Sequence, residues 1–274
     1  VFVRLPLRVA GLQCDLAWED PAANRARLGP RIEAAARGGA RLVVLPEMWP
    51  TGFSMAAERI AEDEGGASER FLSATAAATG AAIGGSIAQR HPGGAQGRPR
   101  NVFVLALPDG TVHRYAKIHP FTFGGEARAY DAGDQAITVT FEGVRITPLV
   151  CYDLRFPELC AALAGRTDLF VVVANWPVAR VLNWTVLLQA RAMETQAYVL
   201  GVNRVGAGGG LDYSGGSRLV SPTGTILAGE TSADGAECPI EGDVDPGEVA
   251  AVRAKFPFLA DRRPDVYRRL RGEV

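Results

Sequence analysis

The stretch Arg8 to Leu45, RVAGLQCDLAWEDPAANRARLGPRIEAAARGGARLVVL, reads as a strand, a helix and a second strand in succession. Arg8 to Gln13 is an apolar run of β character, and Asp20-Pro21 offers an N-cap followed by a proline at the first helical position. Ala22, Leu28, Ile32, Ala35 and Ala36 recur at helical spacing, Gly38-Gly39 ends the segment, and Leu42 to Leu45 resumes an apolar strand. Downstream, Ser68 predicts the cap of a helix through Phe71, Leu72 and Ala76, and Ala81 to Ile87 and Val102 to Leu107 read as strands. Asp109-Gly110 turns the latter into Thr111 to Tyr115, and Glu142-Gly143 joins Ile137–Phe141 to Val144–Val150. The second half then repeats the grammar. A short helix starts near Pro157, a strand spans Leu169 to Ala174, a longer helix runs from about Asn183 to Gln196, and a strand spans Tyr198 to Asn203. Ser221-Pro222-Thr223-Gly224 turns between two short strands, and Glu248 to Arg253 reads as a last strand. His91 to Pro99 and Gly206 to Gly210 read as short surface loops, and no linker is visible. This alternation predicts a single α/β domain of two sheets with helices outside.

A chain of 274 residues with 47% apolar content is long enough to bury a sizeable core without disulfides or a structural metal. The 30 acidic and 29 basic side chains leave a net charge of −1, which offers no field for steering onto nucleic acid or an anionic membrane. Val1 to Gln13, interrupted by Arg4, Pro6 and Arg8, reads as a strand rather than a leader, and no run approaches the ~18 apolar residues of a membrane span. Cys14, Cys151, Cys160 and Cys238 lie far apart with no CxxC spacing, which argues against zinc or a disulfide framework. Reduced thiols in a cytoplasm are the expectation. Of the 29 cationic side chains only Lys117 and Lys255 are lysines, so a lysine here invites a question.

Three polar side chains follow three strands: Glu47 after Leu42–Leu45, Lys117 after Thr111–Tyr115, and Cys151 after Val144–Val150. In layered α/β folds the carboxyl ends of strands face the site crevice. A thiol needs a base, and its attack on a carbonyl creates an oxyanion that needs a positive donor, so the three form a coherent set. Each also has a plainer reading: Glu47 as a solvated loop anchor, Lys117 as a counter-charge, Cys151 as a small buried apolar residue. Cys151 stands between an apolar strand and the polar turn Tyr152-Asp153-Leu154-Arg155, a placement similar to a nucleophile elbow. A compact ammonium is not interchangeable with the guanidinium used elsewhere in this chain.

Pro46-Glu47, Tyr115-Ala116-Lys117-Ile118-His119 and Cys151-Tyr152-Asp153-Leu154-Arg155-Phe156-Pro157-Glu158 resemble, in order, the three catalytic blocks of the carbon–nitrogen hydrolase (nitrilase) superfamily. Ala174-Asn175-Trp176-Pro177, the run Gln189 to Val199, Gly201 to Gly206, Ser214 to Ser217 and Ser221 to Gly224 are similar to its ω-amidase-like branch. The resemblance implies a four-layer αββα sandwich spanning 1–274, with a core of about 5–255 and a tail of 256–274, that forms a homodimer and needs no metal or organic cofactor. It assigns the general base to Glu47, the oxyanion-binding cation to Lys117, the thioester-forming nucleophile to Cys151, and a second glutamate orienting the lysine to Glu126. The plainer reading of Glu126 is a loop carboxylate held by Arg128. Pro120, between His119 and Phe121, and Ala207-Gly208-Gly209-Gly210 depart from the pattern of close relatives in loops that border the expected pocket.

The implied activity is that of a thiol amidase on a small linear carboxamide, such as the terminal amide of a 2-oxo dicarboxylate. The Tyr152 N–H completes the oxyanion site, Arg155 or Arg180 meets a substrate carboxylate, and Trp176 and Phe121 wall the pocket. Arg155 has the alternative of pairing with Asp153 or Glu158. Competing readings are a nitrilase or N-carbamoyl hydrolase on the same triad, a Cys–His hydrolase using His119 or His113, and a non-catalytic interaction or sensor protein.

Overall fold

Asp20 caps the first helix as its position predicts: its carboxylate accepts the Ala23 N–H at 2.9 Å, and Pro21 opens the helix. The computed structural model describes residues 5–91, 97–229 and 232–272. Val1–Arg4 of the first run and most of the His91–Pro99 loop lie outside them. In chain order the elements are β1 (Leu7–Gln13), α1 (Pro21–Arg37), β2 (Leu42–Val44), α2 (Ala57–Ile60), α3 (Ala67–Thr79), β3 (Ala82–Gln89), β4 (Arg100–Ala106) and β5 (Val112–Ala116). Then follow α4 (Glu126–Ala129), β6 (Val139–Phe141), β7 (Val144–Val150), α5 (Pro157–Leu163), β8 (Leu169–Ala174), α6 (Val181–Thr195) and β9 (Tyr198–Asn203). The chain continues through β10 (Val205–Gly208), β11 (Leu211–Ser214), β12 (Arg218–Val220), β13 (Ile226–Ala228), β14 (Cys238–Val244), α7 (Pro246–Lys255) and α8 (Pro264–Leu270).

Two six-stranded sheets result, with orders β14-β1-β2-β3-β4-β5 and β13-β12-β9-β8-β7-β6. Each has three parallel neighbours, β1-β2-β3 in one and β7-β8-β9 in the other, flanked by antiparallel strands. The repeated grammar of the two halves is therefore a repeated sheet. Inner faces meet through Val9, Val44 and Leu105 on one side and Val150, Val171 and Val202 on the other. Gly11 permits a close approach, since a Cβ there would stand 2.7 Å from Val202 Cγ2. The outer face of the first sheet packs on α1 and α3 through Leu28, Ile32, Leu72 and Ala76, and that of the second on α6 through Trp184, Leu188 and Ala192. The layers are thus helix, sheet, sheet, helix.

Four local expectations are corrected. The first-turn core position of α1 is Asn24, not the exposed Ala22, and its side chain bonds to Ala17 and Pro50. Ser68 is not the N-cap of α3: Gly66 is, and Ser68 gives its N–H and hydroxyl to Glu62 at 2.6 and 2.5 Å. Glu248 to Arg253 is helical because Asp245 accepts the Gly247 N–H at 2.7 Å and Pro246 starts α7. The last strand is β14, which pairs along all of β1. Gly206 to Gly210 is no free loop but belongs to the β10–β11 hairpin, with Gly209-Gly210 at its tip. Among the described residues no helix is long and apolar enough to cross a membrane.

Candidate active site

Glu47, Lys117 and Cys151 follow β2, β5 and β7, and the packed sheets bring these three ends to one place. β2 stops at Val44. The chain then bends through Met48, whose φ is +46° and whose N–H is held by Ser86 Oγ at 2.8 Å. The bend leaves Glu47 fully buried. Its Oε1 accepts from Lys117 Nζ at 3.0 Å and from Asn101 Nδ2 at 2.8 Å, and its Oε2 accepts the Asn175 N–H at 2.8 Å. Asn175 Nδ2 also donates to the Glu47 carbonyl at 2.6 Å.

Lys117 is fixed by the sheet register: its N–H donates to the Asn101 carbonyl at 2.9 Å, so Asn101 on β4 stands beside it. Its ammonium reaches Glu126 Oε2 at 2.7 Å as well as Glu47. Glu126 opens α4, where Oε2 accepts the Phe121 N–H at 2.6 Å and Oε1 accepts from Asn101 at 3.1 Å. It is a buried partner of the lysine rather than a loop carboxylate held by Arg128. Burial alone would depress the Lys117 ammonium, but Glu126 and Glu47 outweigh it and hold the group above its ordinary value. Burial pushes the Glu126 carboxyl up while Lys117 opposes.

Cys151 takes a left-handed φ of +49° between β7 and the 3-10 turn Cys151–Arg155, the sharp strand-to-helix corner that its sequence position suggests. Burial and then the Glu47 carboxylate push its thiol well above the ordinary range, with Lys117 opposing. Two residues on, Asp153 accepts from Tyr115, His119 and the Val150 N–H. Arg155 therefore does not pair with Asp153, nor with Glu158: its guanidinium lies 5.0 Å over the Trp176 ring. His119 is bonded to Asp153 at 2.8 Å and stacked on Phe156 at 3.7 Å, and His113 lies within β5, so neither histidine occupies the place of a thiol base.

A cavity of ≈ 320 Å³ opens on Cys151. Tyr152, Phe121, Trp176, Arg155 and Arg180 all line it, as their positions suggest. Arg180 lies 5.3 Å over the Phe121 ring. Among the described residues neither Arg155 nor Arg180 has a carboxylate within 4.0 Å. Sequence reasoning missed Trp18, Phe53, Met55, Leu211 and Tyr213 in the wall, and Asn101 and Asn175 behind the carboxylates. Asn175 stands directly after β8 as Glu47 stands after β2, so the strand-end rule could have found it. Asn101, inside β4, carries no such signal.

A carbon-nitrogen hydrolase family model matches residues 8–254. An ω-amidase, YafV, of Escherichia coli (strain K12) is 40% identical over 259 residues, covering 93% of this chain and 96% of that protein. A 2-oxoglutaramate amidase of Bacillus subtilis is 31% identical over 264 residues, covering 94% and 98%. A crystal structure of a CN-hydrolase superfamily protein from Xanthomonas campestris, with an arsenic adduct in its active site, matches with a TM-score of 0.87 at 38% identity over 94% of this chain and 97% of that one. The chain thus belongs to the carbon–nitrogen hydrolase (nitrilase) superfamily, on its ω-amidase-like branch, and is an amidase acting on carbon–nitrogen bonds other than peptide bonds.

Proposed function

We propose that the chain is a thiol amidase for a small linear carboxamide with a carboxylate at its far end, of the kind represented by the terminal amide of a 2-oxo dicarboxylate such as 2-oxoglutaramate. The observation that carries this reading is the buried Glu47–Lys117–Glu126 cluster at a cavity that holds Cys151 and two arginines without carboxylate partners among the described residues. Glu47 takes the thiol proton as sulfur attacks the amide carbon, so the proton moves within the site and its net charge is unchanged. The carbonyl oxygen becomes an oxyanion between the Lys117 ammonium and the Tyr152 N–H, which lies in the first turn of its helix and has no intrahelical acceptor. Collapse breaks the C–N bond, nitrogen takes the proton from Glu47, and ammonia leaves a thioester on Cys151. Water then gives a proton to Glu47 as it attacks the thioester. The C–S bond breaks, sulfur recovers the proton, and the acid is released. Glu126 holds Lys117 in place, Arg155 or Arg180 receives the far carboxylate, and Trp176 and Phe121 wall its path. No step calls for a metal or organic cofactor.

Ammonia release from a panel of amides, nitriles and N-carbamoyl amines tests this. The highest kcat/KM is expected for the carboxylate-bearing amide. A tenfold preference for a nitrile or carbamoyl amine would overturn the amidase substrate, and no release from any member would leave an interaction protein.

We further propose one catalytic domain over 1–274 that acts as a homodimer in the reducing cytoplasm. Leu182, Val186 and Met193 on α6 are 71%, 53% and 48% exposed and share the face opposite its buried Trp184, Leu188 and Ala192. Such a stripe fits a second copy of the helix. Sedimentation equilibrium giving a mass near the 29.0 kDa protomer at micromolar concentration would refute the dimer.

A further inference from the structure

Asp153 touches no reacting atom in the mechanism above, yet it is completely buried and accepts four hydrogen bonds. Oδ2 takes the Tyr115 hydroxyl at 2.7 Å and the Val150 N–H at 3.0 Å. Oδ1 takes the His119 N–H at 3.0 Å and lies 2.8 Å from His119 Nδ1. A carboxylate offers about four lone-pair sites, so all of them are in use.

The four partners come from two segments. Tyr115 and Lys117 are two residues apart along the end of β5 and so present their side chains to one face, and His119 follows two residues later. Val150 is the residue before Cys151. One carboxylate thereby fastens the chain on both sides of the lysine to the corner on which the cysteine stands. The corner needs fastening, because Cys151 is not glycine and a φ of +49° persists only where its surroundings over-determine it. Burial and Asp153 itself push the Tyr115 hydroxyl well above its ordinary range, so it remains a donor.

We infer that Asp153 is a positioning residue that sets the separation of the Lys117 ammonium from the Cys151 sulfur and so governs acylation without touching the substrate. The inference rests on the roles proposed for Lys117 and Cys151. It predicts coupling to the lysine, which a general structural role does not.

The test is a double-mutant cycle on single-turnover acylation of the carboxylate-bearing amide, with Asp153→Asn, Lys117→Ala and the double variant, folding being followed by circular dichroism. Asp153→Asn should slow acylation by about 100-fold, the scale of an ångström of misplacement, with KM within about threefold of wild type. In the Lys117→Ala background the same change should cost at least ten times less. Tyr115→Phe, which removes one donor and keeps the ring, should cost about tenfold and takes the place of Asp153→Asn in the cycle if that variant does not fold. Equal fold losses in both backgrounds would overturn the inference alone. Wild-type acylation by Lys117→Ala would overturn the lysine's role and this inference together.

Discussion

Cys14 and Cys151 each follow a seven-residue strand, β1 and β7, that occupies the same place in its sheet between an antiparallel edge neighbour and a parallel one. Burial pushes both thiols up: Cys14 to about 12, with Glu237 adding to the shift, and Cys151 well above the ordinary range, with Glu47 adding. The acidity of the resting thiol therefore does not tell them apart. Cys14 lies in the buried cluster that Leu28 and Ile32 of the helix layer share, whereas Cys151 turns through a left-handed φ into a cavity beside a carboxylate and an ammonium. What separates the two thiols is what surrounds them. The next strands repeat the contrast, for β2 is followed by Glu47 and β8 by Asn175, which holds that glutamate.

Exchanging the cysteines is the strongest way to break the comparison. Cys151→Ala should abolish ammonia release, and iodoacetamide mapped by peptide analysis should inactivate only through Cys151. Full turnover in protein alkylated there would end the nucleophile assignment. Lys117→Arg conserves charge but places a larger planar group where an oxyanion donor must stand, so turnover should fall ~10²- to 10³-fold in a folded protein. Acylation within a few-fold of wild type would reduce the lysine to a counter-charge. Glu47→Gln should cost about 10²-fold through loss of proton transfer, read in kcat. Arg155→Gln should raise KM about tenfold for a carboxylate-bearing amide and leave a neutral amide unaffected, a contrast that steady-state kinetics reads directly.

The smallest effect falls on the inert thiol. Cys14→Ala should leave turnover unchanged and cost about 1 kcal/mol of stability at pH 7. The folded-state value of about 12 lies above the ordinary 9.0, so the native state binds the proton more tightly. That contribution is complete below pH 9 and is lost as pH rises toward 12. The stability gap between wild type and Cys14→Ala, measured by urea unfolding, should shrink above about pH 9. A gap constant through that range would show that the Cys14 proton is not held by burial.

The set Glu47, Lys117 and Cys151 was legible because each stands at or shortly after the end of a strand, and the structure brings these three ends together. The layers followed from periodicity and capping, as Asp20 and Pro21 illustrate. What escaped reading acts across the fold. Asn101 lies inside β4 and matters only because register sets it beside Lys117, and Asp153 matters through partners up to 38 residues away. Glu248 to Arg253 was read as a strand, although Asp245-Pro246 just before it is a helix start. The β10–β11 hairpin was hidden by its glycines, whose tip lies against Trp18 at the cavity wall.

The pairing of β1 with β14 has a consequence for how the molecule is made. Leu7 pairs with Val244 and Gln13 with Cys238, so β1 leaves the ribosome long before the strand it pairs with. Until then one edge of β1 offers an unpaired row of backbone donors and acceptors to any other chain nearby. Closure across such a sequence separation is slow, which exposes the nascent molecule to edge-to-edge association. A ribosome-stalled chain ending before Cys238 should accordingly remain open to protease, and protection should arrive only once Val244 has cleared the exit tunnel.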